Sequence, residues 1–110
     1  MTTQSMLVKQ LECLPCEIED VDQPFPTEAH HLNEGGHAGQ KRRGDDYQIP
    51  CCGWHHRGLR KPRMSRDGMT AIYGPSLATD SRQFHFAYGT DDELLAIARA
   101  KVNRLLPVSA

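Results

Sequence analysis

Cys51-Cys52-Gly53-Trp54-His55-His56 completes what Cys13-Leu14-Pro15-Cys16 begins. A C-x-x-C half and a C-x-x-H half, separated by a few dozen residues, supply the four soft ligands of one tetrahedral zinc ion. Cys13, Cys16, Cys52 and His55 form the two matched halves, which leaves Cys51 to pack inward as a small apolar residue. It also leaves His30-His31 and His56 over for a second metal site. The chain has 110 residues, 38% hydrophobic and only 6% aromatic. That is a single domain, residues 1–110, with a thin core that gains from a metal staple. A chain with a secretory signal would turn four cysteines into two disulfides, but the N-terminus has no apolar h-region and no stretch of eighteen apolar residues exists. Reduced, metal-binding cysteines, a cytoplasmic location and no membrane partner are therefore expected.

The net charge of −1 excludes nothing, but its distribution is uneven. Between His37 and Arg66 stand eight Lys/Arg against Asp45 and Asp46, whereas Lys9 stands alone before seven acids from Glu12 to Glu34. A basic stripe beside metal ligands fits contact with a phosphate backbone, and it also fits a solvated loop face.

Punctuation and periodicity outline the elements. Met6–Leu11 is a short apolar lead-in, and Pro15 predicts a tight knuckle bend between the first cysteines. Thr27–Leu32 alternates like a strand, Gly35–Gly39 is loop, and Tyr47–Pro50 is a second short strand, expected to be ended by Pro50. Trp54–Arg57 opens a short helix, with Trp54 as an apolar plug. Two strands and a helix bearing the ligands make a ββα finger within residues 11–60. C-terminal helices are expected over residues 76–106: one from Leu77 to Tyr88, and one opened by the capping box Thr90-Asp91-Asp92-Glu93 and running to Pro107. The fold class is α+β.

The order Cys-x-x-Cys, Glu28-Ala29-His30-His31-Leu32, Gly35-Gly36, a basic stretch, Asp45-Asp46-Tyr47-Gln48-Ile49-Pro50, Cys52-x-x-His55-His56-Arg57-Gly58 and Tyr88-Gly89-Thr90-Asp91-Asp92-Glu93 resembles an HNH endonuclease. The type is the recombination-enhancement, RecA-dependent nuclease of phages, and the likeness covers nearly the whole chain. It implies a zinc-stabilised ββα-metal (His-Me finger) domain that hydrolyses DNA phosphodiester bonds, a phage or prophage product, and work alongside a RecA-type filament. Family members can carry a long basic N-terminal extension that aids DNA binding, and the sequence begins without one.

By the same resemblance His30 and His56 hold the catalytic cation, Mg²⁺ or Mn²⁺ or a zinc ion in the same place, and His31 is the general base that activates water. Adjacent strand residues point to opposite faces, so one histidine on the cation and one on water is the division the strand allows. Similar sites often have Asn in the middle motif; here Asp46, which nothing in the sequence distinguishes from Asp45, is expected to orient His31. A further histidine one turn after His56 is replaced by Arg60, so the cation relies on solvent or recruits His85. Lys41, Arg42, Arg43 and Arg57 are expected to hold DNA phosphates. The competing reading is a non-catalytic zinc module that binds nucleic acid or protein, for which His31 has no use.

Overall fold

The computed structural model describes residues 3–32 and 47–106. Strands β1 (Thr27–His31) and β2 (Gln48–Cys52) pair antiparallel, with Thr27 opposite Cys52 and His31 opposite Gln48. Helix α3 (Gly53–Arg57) follows β2 without a break. Before the hairpin come α1 (Thr3–Lys9) and α2 (Leu14–Glu19); after it come α4 (Arg66–Tyr73), α5 (Ser81–Tyr88) and α6 (Asp91–Leu105). The architecture is a small α+β fold around a two-stranded sheet. No helix of the described residues is long and apolar enough to cross a membrane.

All five residues of β2 are buried, because the strand is covered on both faces. Ile49 and Cys51 point to the side occupied by α5 and α6, where they join Phe84, Tyr88, Leu94 and Ala98. Gln48 points the other way, toward Ser5 of α1. A second cluster joins Cys13, Cys16 and Cys52 to Trp54, Met69 and Tyr73. Trp54 is fully buried there and donates its Nε1–H to the Gly74 carbonyl at 3.0 Å. Cys51 is fully buried too, and all four cysteines are free thiols.

Several local expectations are corrected. Pro15 does not make a knuckle bend: it lies in the first turn of α2, where its missing N–H has no intrahelical partner to lose. Cys13 is the N-cap, its carbonyl accepting from Glu17 N–H at 3.0 Å. Nor does Pro50 end β2. The strand runs on to Cys52, which a two-stranded sheet permits because one side of each strand carries no ladder. Helix α5 starts at Ser81 rather than Leu77, since Ser76 gathers the Thr79 and Asp80 N–H groups into a turn and Asp80 caps the helix by accepting from Gln83 N–H at 3.1 Å. Helix α4 was not expected, although Ser65 caps it through Gly68 N–H and Met69 and Tyr73 are spaced four apart on its buried side. The capping box of α6 forms as expected, with Glu93 N–H to Thr90 Oγ1 at 3.1 Å and Thr90 N–H to Glu93 Oε1 at 3.0 Å.

Candidate active site and metal centre

Helix α3 has five residues; its N-terminus continues straight from β2, and neighbouring segments secure its carbonyls. Gly58, at φ 76°, turns its N–H back to the Gly53 and Trp54 carbonyls in the left-handed cap that glycine tolerates best. Ser76 Oγ donates to the Trp54 carbonyl at 2.6 Å and Leu77 N–H to the His55 carbonyl at 2.9 Å. These bonds satisfy the orphan carbonyls that a helix this short cannot satisfy itself. Its consecutive histidines therefore have fixed, different directions.

His55 points into the cysteine cluster. Its Nδ1 lies 3.4 Å from Cys13 Sγ, 3.5 Å from Cys16 Sγ and 3.4 Å from Cys52 Sγ, and Cys16 Sγ is 3.9 Å from Cys52 Sγ. Zinc bond lengths of about 2.3 Å to sulfur and about 2.0 Å to nitrogen imply tetrahedral edges of about 3.5 Å (S to N) and about 3.8 Å (S to S). Those four edges match, all the donors lie within 4.8 Å of one another, and all four residues are buried. His55 Nε2–H donates to the Tyr73 carbonyl at 2.7 Å, which leaves the lone pair on Nδ1, facing the sulfurs. Burial pushes the Cys13 thiol up to about 12, and hydrogen bonds with Cys13 and Cys52 raise Cys16 as well. Cys52 shifts the other way, toward thiolate, because Cys13 and Cys16 donate to it. Without metal Cys13 and Cys16 keep their protons around a Cys52 thiolate; a metal such as zinc would replace those protons.

His56 points toward β1. Its ring centroid is 4.8 Å from that of His30, with the planes at 56°. Glu28 and His30, two apart on β1, share that face. Glu28 Oε1 accepts from His56 Nδ1 at 2.8 Å and from Arg57 Nε at 2.9 Å, while Oε2 accepts from Arg57 Nη2 at 2.6 Å. The Arg57 guanidinium, and then the His56 contact, hold the Glu28 carboxyl below its usual range. His30 is depressed to about 4, chiefly by burial and then by the neighbouring His56, so its imidazole is neutral at pH 7. A neutral imidazole is the form that ligates metal.

His31 faces the opposite side of the hairpin, across from its register partner Gln48. The Gln48 amide nitrogen is 2.8 Å from His31 Nε2 and 2.8 Å from Ser5 Oγ, a buried polar chain running into α1. His85, the other candidate ligand, has both ring nitrogens engaged: Nδ1 with the Ser81 carbonyl at 2.8 Å and Nε2 with Asp91 Oδ1 at 2.8 Å. Coordination by His85 would require one of those bonds to open. Asp91 and His85 both act electrostatically on His30, so the start of α6 and the end of α5 border the His30–His56 pair.

Residues 2–103 match the family described as recombination enhancement, RecA-dependent nuclease. The chain belongs to that family. No curated protein and no solved structure matches it.

Set against this family of nucleases, the structure brings together Cys13, Cys16, Cys52 and His55 in one place and His30 and His56 in another, with His31 on the far side of the same strand. Arg57, expected on DNA, is folded onto Glu28. Asp46, Lys41, Arg42 and Arg43 lie outside the described residues. Three polar residues of the site escaped the sequence reading. Glu28 had a signal, its period-2 relation to His30; Gln48 and Asp91 had none, since only the strand register and the docking of α6 bring them close.

Proposed function

We propose that this protein is an HNH-type, metal-dependent DNA endonuclease with a structural zinc at Cys13, Cys16, Cys52 and His55. The observation that carries the reading is the pairing of neutral His30 on β1 with His56 on the helix that follows β2. Two paired strands followed by a helix, with two imidazoles converging, support a ββα-metal reading, and the donor set fits a divalent cation, Mg²⁺ or Mn²⁺, or zinc, completed by solvent. When bound, such an ion supplies charge stabilisation for the phosphate being attacked and for the leaving oxygen. His30 and His56 hold it.

His31 takes the proton from the attacking water. For that role its Nδ1 must carry the lone pair and its Nε2 the hydrogen, which holds when Gln48 presents its carbonyl to His31. The two ends of the amide are nearly isosteric, and Ser5 Oγ can donate to one end and accept from the other, so the buried chain is satisfied in that orientation. Gln48 then does for His31 what Asp46 was expected to do. The DNA backbone is held by Lys41, Arg42 and Arg43; few such contacts read base edges, so specificity comes from DNA structure or from a RecA-type filament, as the family description suggests.

The test is plasmid nicking in Mg²⁺, in Mn²⁺ and without metal, with and without a RecA filament. His31→Ala should keep the fold, the zinc and DNA affinity but lose about 10²–10⁴ in cleavage, the usual effect of removing a positioned acid–base group. His56→Ala should lose cleavage together with the second metal. A wild type that never nicks, or a His31→Ala variant that cuts normally, would leave the non-catalytic zinc module as the better account.

A further inference from the structure

Resting on the two-histidine site just proposed, we infer that Glu28 is a positioning residue: it fixes the His56 proton on Nδ1, which turns the Nε2 lone pair toward the cation. Glu28 Oε1 lies 2.8 Å from His56 Nδ1, and a carboxylate there can only accept, so the hydrogen of the neutral ring sits on Nδ1. Nε2 is then the ring's one remaining donor of a lone pair. Carboxylates that grip the non-ligating nitrogen of a metal-binding histidine set its tautomer and orientation in this way and raise its basicity.

The carboxylate is itself held. Arg57 meets it with Nε at 2.9 Å and Nη2 at 2.6 Å, a two-point pairing of planar groups that fixes the plane of the carboxylate as well as its place. Glu28 is anchored on the strand that carries His30, and Arg57 and His56 are consecutive on α3. One side chain therefore locks the strand ligand and the helix ligand into register. This also gives Arg57 a role in the site: its Nε and Nη2 clamp Glu28, while the rest of its exposed guanidinium stays open to a phosphate.

A plain strand-to-helix staple would affect stability but not the choice of nitrogen that carries the His56 proton, and this difference supplies the test. Long-range ¹H–¹⁵N NMR of the full, zinc-loaded chain reads that nitrogen directly, and calorimetry with Mn²⁺ alone reads the second metal. Wild type should show His56 protonated on Nδ1. Glu28→Ala should lose that preference and weaken Mn²⁺ binding about 10–100-fold, the range seen for such outer carboxylates. Glu28→Gln keeps a carbonyl for His56 but no charge for Arg57, and should recover the tautomer and part of the affinity. Two results would overturn the proposal: a wild type carrying the proton on Nε2, which decides the matter even if Glu28→Ala fails to fold, or a folded Glu28→Ala with wild-type tautomer and Mn²⁺ affinity. Neither readout uses cleavage. A wild type that binds Mn²⁺ as expected but never cuts DNA would sink the nuclease reading and leave the role of Glu28 standing.

Discussion

At the scale of single residues the most consequential contrast is between His30 and His31, neighbours in sequence whose rings meet different worlds. His30 is half-buried against His56, which disfavours its charged form; His31 is joined to Gln48 and Ser5. With the zinc site loaded and no other metal added, the ring of His30 should remain neutral as pH falls from 6.5 to about 4, where an ordinary histidine would have taken up its proton. The sign follows from the cause: desolvation penalises the cation, so more acid is needed to form it. Ring NMR across that range checks this, and a midpoint near 6.5 would contradict the burial of the ring. The alternation of the two histidines was legible because the period of a strand is a local property. The identity of their partners was not, since Glu28 reaches a residue 28 positions away and Gln48 one 17 positions away.

At the scale of elements, legibility tracks how local the deciding interaction is. The capping box at Thr90 closes within four residues and was readable; the start of α5 depends on Ser76 hydrogen-bonding back to α3, and was misplaced by four residues. The turn after α4 belongs with the second kind. Gly74 has φ 87°, its carbonyl receives the Trp54 indole, and a Cβ added there would collide with the Tyr88 hydroxyl and press on Glu19. Gly74→Ala should therefore destabilise by more than the about 1–3 kcal/mol of holding an alanine in this glycine-only region, because Tyr88 must also move. Denaturant unfolding measures the difference; a loss well under 1 kcal/mol would mean that the turn relaxes freely.

At the scale of the whole molecule, the cysteine cluster is the joint of three segments: Cys13 and Cys16 from the start of α2, Cys52 from the end of β2, and His55 from α3, itself bonded to the last residue of α4. Folding should therefore be coupled to metal. Cys16→Ser should leave a largely unfolded chain that binds zinc weakly, whereas Cys51→Ala, in the core but outside the cluster, should lose far less and keep one equivalent of zinc. Circular dichroism with zinc analysis separates the two, and a Cys16→Ser protein that melts like wild type would remove this cluster as the keystone. The spacing of the cysteines made the cluster readable. What spacing alone could not convey is that α3 serves two masters. Trp54 enters the core, His55 the cluster, and His56 and Arg57 the Glu28 face, each about 100° further round the helix axis. Deleting one residue between Cys52 and Trp54 would rotate every later side chain into its neighbour's place, sending a histidine where tryptophan belongs and arginine toward His30, and adding one there would send tryptophan toward the sulfurs. A substitution here alters one contact, whereas a change of length alters them all. Across descendants of this chain, the count of residues from Cys52 to Gly58 should prove less negotiable than most of the letters within it.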